Sequence, residues 1–407
     1  MDFRKMTWHI AALISLITVY PTVCLAQYER NCVKRDFMDY YNNANYDESK
    51  VPKYTLPDAL LCLDGTHIND TTLWEEKRRP ELIQLFTEFM YGKYPSVDTT
   101  FSAKLQGADR SLKGMNATRR DIMLHLTNNG PDVKLTIVWR NNGKRTIAQK
   151  TILGLSFIPI DSIFCTHHNG GRPKGAEAWN VEAILEQGFA FAVFQYTEAE
   201  IDKAKDDFKS SALHKHYYKK GQTYPLPDEW GAIACWAWTA SRAVDALELL
   251  ARDVVKVNAI TIMGHSRLGK TALWAGATDK RFRAVASVNS GCCGAALSRR
   301  CFGETVECVN EFCSHWFCGN FKQFSHREKY LPFDQHELIA LLAPRQIIAI
   351  SGIEDLWADP KGEELGCLMA RPIYELYGKT DKLIYKLREG PHAVLKEDWN
   401  FILRHLE

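Results

Sequence analysis

Six short apolar runs, at 152–158, 189–194, 259–263, 284–289, 346–351 and 383–387, constrain the fold of this 407-residue chain more than any other feature. Most are continuous rather than alternating, which is the pattern of strands covered on both faces. Helical periodicity lies between several of them. It is clearest over 230–252, where Ile233, Trp236, Ala240, Val244, Leu247 and Leu250 fall on one stripe. Strands alternating with helices predict an α/β chain, a mostly parallel sheet with helices on both sides. Ahead of these runs, 122–126 and 133–139 predict antiparallel strands joined near Asn128-Asn129-Gly130. Residues 27–100 carry little pattern beyond a charged helical piece at 72–91. The long insertions 196–228 and 291–345 are expected to form the rim of a cleft at the carboxyl ends of the strands, where open α/β sheets bind ligands.

The run 259–263 leads directly into a candidate for chemistry. Gly264 is expected to break the strand, Ser266 sits at the joint, and 268–277 reads as a helix rich in Ala, Leu and Trp. A strand passing through a tight turn into a helix lifts a serine hydroxyl clear of a sheet. The helix start behind it offers N–H groups without intrahelical partners, and a positive dipole end, where an oxyanion would form. The spacing is Gly264-x-Ser266-x-x-Gly269, one residue longer than G-x-S-x-G. An ordinary strand-to-helix turn has the same local pattern, so the rest of the chain must decide.

A nucleophilic serine needs a base, and the base needs an orienting acid. Asp355 comes four residues after the run ending at Ser351, and His392 follows the run 383–387. Serine, acid and histidine thus stand after the third, fifth and sixth candidate strands, in the chain order of the hydrolases with an elbow serine. Glu354 and Asp359 are neighbouring acids that could replace Asp355. His265, His315, His336 and the pair His167-His168 compete less well with His392. His336 sits at a helix start, His265 beside the serine is expected to pack, and the adjacent pair has poor metal spacing.

A formal net charge of +2 supplies no field for nucleic acid or an anionic membrane. Residues 1–26 read as a secretory signal. Arg4 and Lys5 precede an apolar stretch from Ile10 to Tyr20, and Cys24-Leu25-Ala26 puts small residues before a cut at Gln27. That stretch is shorter than the roughly 20 residues a membrane span needs. Cys24 also raises lipid attachment, for which Pro21-Thr22-Val23 is a poor lead-in. The remainder, 27–407, is expected to be one secreted or periplasmic domain and a monomer. Export makes disulfides the expected fate of its cysteines, six of which crowd into 292–318 without the C-x-x-C spacing of zinc sites.

Longer motifs then match a known family. They are Gly264-His265-Ser266-Arg267-Leu268-Gly269-Lys270, the stretch SGCCGAALSRR from Ser290 to Arg300, Gly303-Glu304-Thr305-Val306 and His315-Trp316-Phe317. They continue with Leu331-Pro332-Phe333-Asp334-Gln335-His336 and Asp355-Leu356-Trp357-Ala358-Asp359-Pro360. Through these the chain resembles the glucuronoyl esterases, carbohydrate esterase family 15, and their bacterial branch most, from about Tyr54 to Trp399. The resemblance implies a three-layer α/β-hydrolase fold and serine chemistry without metal or cofactor. It implies a substrate in which 4-O-methyl-glucuronic acid of glucuronoxylan is esterified to a lignin alcohol. Carried over by position, Ser266 is the nucleophile, His392 the base, and Arg267 the oxyanion holder through its backbone N–H, with the guanidinium as a further donor. Lys270, Glu304 and Trp357 bind the uronate ring. Two departures stand out. Some members carry a glutamate acid where this chain has Asn289, so the acid role falls to Asp355, and the fungal disulfide beside serine and histidine is excluded by His265 and Ala393. A carbohydrate acetyl esterase, a general carboxylesterase, and a carbohydrate-binding protein without catalysis are the rival readings.

Overall fold

A computed structural model describes residues 36–95, 100–140, 148–165, 174–203, 208 and 210–406. The signal reading of 1–26, the pair His167-His168, Cys24 and Cys32 lie outside the described residues. All six apolar runs are strands of one ten-stranded sheet: β5 (Gln149–Ser156), β6 (Ala190–Gln195), β7 (Val255–His265), β8 (Phe282–Val288), β9 (Gln346–Gly352) and β10 (Leu383–Arg388). Before them come β1 (Ser102–Leu105), β2 (Arg110–Leu112), β3 (Ala117–His125) and β4 (Asp132–Trp139). The order is β1-β3-β4-β6-β5-β7-β8-β9-β10, with β2 paired to β3. The pairs up to β4/β6 are antiparallel, and those from β6/β5 to β9/β10 are parallel.

The side chains explain why the parallel strands read as continuous apolar runs. Along β9, Ile347 and Ala349 join one core while Ile348 and Ile350 join another on the opposite face. Period-two alternation is present, but both faces are dry, so it vanishes from the hydropathy. The first core is closed by the helices Ala232–Leu250, Arg267–Thr278, Gln335–Ala340 and Pro360–Leu376, the second by Val181–Glu186 and Lys396–His405. These three layers are the expected sandwich. Burying one such isoleucine contributes about 1.5–3 kcal/mol, so both faces are needed to fix the sheet. The charged piece at 72–91 is helical from Thr71 to Tyr91, with two π-helical turns at Trp74–Arg78 and Thr87–Tyr91.

Two expectations change. β7 runs through Gly264 to His265, so the glycine lies inside the strand instead of ending it. The ten described cysteines are free thiols, and the sulfurs of neighbouring Cys292 and Cys293 stand 3.7 Å apart. In 292–318, Cys292, Cys293, Cys308 and Cys318 are buried and serve as small apolar packing groups. No described helix is long and apolar enough to cross a membrane.

Candidate active site

Adjacent parallel strands β7, β8, β9 and β10 all end on one edge of the sheet, so the loops after them meet there. Ser266 follows β7 with φ +57° and ψ −130°. A non-glycine residue held in such a region stores about 1–3 kcal/mol, so the strain of the turn sits on the serine itself. Gly264 answers a different need: a Cβ there would overlap the Leu268 carbonyl of the following helix. A Cβ on Gly269 would stand 3.0 Å from both Ser287 Oγ and Ser290 Cβ. The two glycines thus let strand, helix and the 290 loop close around the serine. The Ser266 carbonyl accepts from Gly269 N–H at 2.8 Å and Lys270 N–H at 3.2 Å, which leaves the Arg267 N–H ahead of the first intrahelical bond.

His392 and Asp355 meet as the chain order predicts. The Nδ1 of His392 lies 2.5 Å from Asp355 Oδ2, with the carboxylate buried and the imidazole 39% exposed. The alternative acids are placed elsewhere. Asp359 accepts from Arg300 Nε at 2.8 Å and caps the next helix through Gly362 N–H at 2.9 Å, and Glu354 is exposed. The His265 ring stands 4.6 Å from that of His392, which brings the serine's neighbour and the histidine together. Burial first, then the positive charge near it, pushes His265 down to about 3, so it stays neutral at working pH. His336 is structural: it starts the helix Gln335–Ala340 and its Nε2 reaches the Pro57 carbonyl at 3.0 Å.

The loop carrying His392 is held by Arg388, which nothing in the sequence singles out, and by Asn289. Arg388, at the end of β10, donates to the carbonyls of Glu389 at 3.0 Å, Pro391 at 3.0 Å and Ala393 at 2.5 Å. Its Nε pairs with buried Asp398 at 3.1 Å. Asn289 accepts from Gly352 N–H at 2.9 Å, and its amide nitrogen lies 3.5 and 3.4 Å from the carbonyls of Pro391 and Ala393. Asn289 therefore ties the strand end before Asp355 to the loop of His392, a linking role that needs no charge.

Arg267 lies on the other flank. Its Nη1 pairs with Asp202 at 2.5 Å, and its guanidinium lies over the rings of Trp316 at 4.8 Å and Phe157 at 5.8 Å. Asp202 also accepts from Tyr196 Oη at 2.6 Å, His315 Nε2 at 2.8 Å and Trp316 Nε1 at 2.9 Å. Burial alone would raise its carboxyl, but these donors and Arg267 hold it well below the usual range. The Arg267 Nε is buried and has no hydrogen-bond partner among the described residues. His315, a rival histidine by sequence, is thus committed to the arginine's counter-ion. Lys270 is buried on the same helix and donates to Glu304 Oε2 at 2.7 Å and the Ser290 carbonyl at 2.8 Å. Burial pulls its ammonium down, but the Glu304 carboxylate outweighs it and keeps the pKa above the ordinary value. Glu304 is not a helix cap; Thr305 takes that place, accepting from Cys308 N–H. The Glu304 N–H in turn donates to the Trp357 carbonyl at 2.9 Å, so the three expected ring binders are linked.

Among the described residues, Glu200, His214 and Cys235 have ligand atoms close enough to hold a metal ion. Glu200 and His214 are already committed. Glu200 accepts from Ser211 Oγ and four backbone N–H groups beside His214 Nδ1, and His214 Nε2 faces the Trp230 carbonyl at 2.9 Å. These contacts tie Glu200 to residues 211–214. The second oxyanion donor, expected from the loop 166–171, lies outside the described residues.

The arrangement is a serine at a strained strand–helix turn, a histidine–aspartate pair on loops beside it, and a buried cation and acid on the same helix and insertion. That is the equipment of a serine esterase with a polar substrate. The family described as fungal glucuronyl esterase matches residues 172–378. The chain is 37% identical to carbohydrate esterase MZ0003 of an unknown prokaryotic organism, over 88% of this chain and 90% of that one. It is 33% identical to 4-O-methyl-glucuronoyl methylesterase 1 of Wolfiporia cocos, over 82% of this chain and 75% of that one. The solved glucuronoyl esterase from Solibacter usitatus superposes with a TM-score of 0.81 at 35% identity, covering 88% of this chain and 99% of that one. The chain belongs to the glucuronoyl esterase family, carbohydrate esterase family 15, and is a carboxylic ester hydrolase of α/β-hydrolase fold.

Proposed function

We propose that this protein hydrolyses the ester between 4-O-methyl-glucuronic acid of glucuronoxylan and a lignin alcohol, through an acyl-enzyme on Ser266. The observation that carries the reading is the 2.5 Å contact of His392 with Asp355 on loops beside the serine turn. Asp355 holds the imidazole by Nδ1, which leaves Nε2 to take the Ser266 proton as the hydroxyl oxygen attacks the uronoyl carbonyl. The carbonyl oxygen becomes an oxyanion, and the Arg267 backbone N–H donates to it, with the Arg267 Nε, unpartnered among the described residues, as a further donor. One such donor is worth about 3–4 kcal/mol in the transition state. His392 returns the proton to the departing alcohol. Water, deprotonated by the same histidine, then releases the uronic acid and restores the serine. Lys270, Glu304 and Trp357 hold the sugar ring, the lysine and glutamate by hydrogen bonds and the tryptophan by its flat face. We read residues 1–26 as a signal for export and the mature chain as a monomer acting outside the cytoplasm.

A carbohydrate acetyl esterase would need the same serine and histidine but not the buried Lys270–Glu304 pair. Comparing kcat/KM on methyl glucuronate and on acetylated xylose decides between them. The uronate ester is expected to be favoured at least tenfold; equal rates, or a preference for acetyl groups, would overturn the reading.

A further inference from the structure

Beside Trp357 the surface is completed by the segment 36–50, which packs on the 300–312 part of the insertion. Its helix Phe37–Asn43 has no buried residue and is shorter than an isolated helix can sustain, so it is held by what it touches. Tyr41 stands 4.9 Å from the Trp357 ring and Phe37 stands 5.7 Å from it. They are one helical turn apart, and so share a face. Between them Tyr40 bonds Thr305 Oγ1 at 2.6 Å, next to Glu304. Farther along, Asn45 accepts from Gly303 N–H at 2.8 Å, and Glu48 pairs with Arg300 at 2.5 Å. These anchors fall on 300–305 and on Trp357, the sugar side of the site, while Phe37 and Tyr40 also meet the Phe312 ring at 5.3 and 5.7 Å. Yet Phe37 and Tyr41 remain 42% and 38% exposed, although their helix face is the one that packs. Large apolar rings left open beside a binding site mark surface that meets something.

We infer that Phe37 and Tyr41 continue the Trp357 face into a second carbohydrate subsite, which takes the neutral sugar glycosidically linked to the uronate. The inference rests on the functional reading above and follows from the two ends of such a substrate. An esterified uronic acid within a polysaccharide has its carboxyl carbon at Ser266, and its alcohol leaves on the His392 side. The glycosidic end points away from both, along the wall where the uronate binders lie, and the next group there is a sugar. Pyranose rings present C–H faces, and partly exposed aromatic rings are suited to receive them. The uncharged occupant also fits a shelf that offers rings and a hydroxyl rather than a cation.

The test compares two methyl esters: 4-O-methyl-glucuronate alone, and the same uronate carried on xylotriose. Each is assayed with full-length wild type, Tyr41→Ala, Tyr41→Phe and Phe37→Ala, after matching melting temperatures. The quantity read is the ratio of the two KM values, which a merely structural role would leave unmoved. Wild type and Tyr41→Phe are expected to favour the xylotriose-linked ester, and Tyr41→Ala to lose three- to tenfold of that preference, the scale of one aromatic contact. A ratio identical in wild type and Tyr41→Ala overturns the subsite, whether because both KM values rise together or because neither moves. If wild type cleaves neither ester, the functional reading fails instead. Titration of Ser266→Ala with the free xylotriose-linked acid, followed by tryptophan fluorescence, then decides the subsite: binding unweakened by a second Tyr41→Ala change overturns it.

Discussion

The two flanks of the cleft are built on opposite plans. On the histidine flank, Asp355, His392, Asn289 and Arg388 all sit within a few residues of the ends of β8, β9 and β10, and their loop is clamped through backbone carbonyls. On the sugar flank only Lys270 belongs to an element of the central fold; Glu304 comes from the long insertion, and Trp357 is packed by the N-terminal helix. Proton transfer tolerates little displacement, so its groups hang from the most rigid part of the molecule. Of the proposed ring binders, Glu304 comes from outside that frame, whereas Trp357 shares the loop of Asp355 and is packed by the N-terminal helix. The general lesson is that chemistry is anchored to the sheet and selectivity is added around it.

Substitutions on each flank should therefore fail in different ways. The largest effect after loss of the serine is expected from Asp355→Asn, which lowers kcat about 10⁴-fold by presenting the wrong imidazole tautomer while KM and melting temperature stay near wild type. Steady-state kinetics on methyl glucuronate checks it, and near-native kcat would remove Asp355 from the acid role. Arg388→Met should combine instability with lost rate. It strands buried Asp398, at a cost of roughly 3–5 kcal/mol, and frees the carbonyls on either side of His392. Chemical denaturation and kcat, measured together, should both fall. Lys270→Met belongs to the other flank: KM should rise about ten- to a hundredfold, the worth of a charge-assisted hydrogen bond, with kcat much less affected.

The smallest effect concerns pH. Glu363, fully buried behind Ser290, is pushed up to about 7 by burial, against the hydrogen bonds of Ser351, Gly291 and Ser290 that favour its charged form. Its native pKa exceeds the unfolded value, so the native state binds the extra proton, and stability falls as pH rises from about 4.5 to 7. Glu363→Gln should flatten that part of the melting-temperature profile. An unchanged slope would show that Glu363 does not titrate there.

Much of the histidine flank could be read from the sequence because its parts follow strands, and strands announce themselves as apolar runs. Ser266, Asp355 and His392 needed only that order. The supports did not show. Asp202 meets His315 across 113 residues, and nothing local in either stretch signals the other. Arg388 looks like the last residue of an edge strand until its loop folds back over it. The N-terminal helix places Phe37, Tyr40 and Tyr41 on one face, but it spans only 7 residues and that face packs on Trp357 and Phe312 instead of a core, so no period stands out. Cysteine content misled for a related reason: a buried thiol and a half-cystine look identical in sequence, and here the described thiols fill space.

The central claim is that Ser266 performs the attack on a uronate ester. It is tested most directly by release of benzyl alcohol from benzyl glucuronate, measured side by side for wild type and Ser266→Ala at equal melting temperature. The account predicts steady turnover by the wild type and a loss of about 10⁶-fold in the variant. Turnover by Ser266→Ala within tenfold of wild type would contradict it.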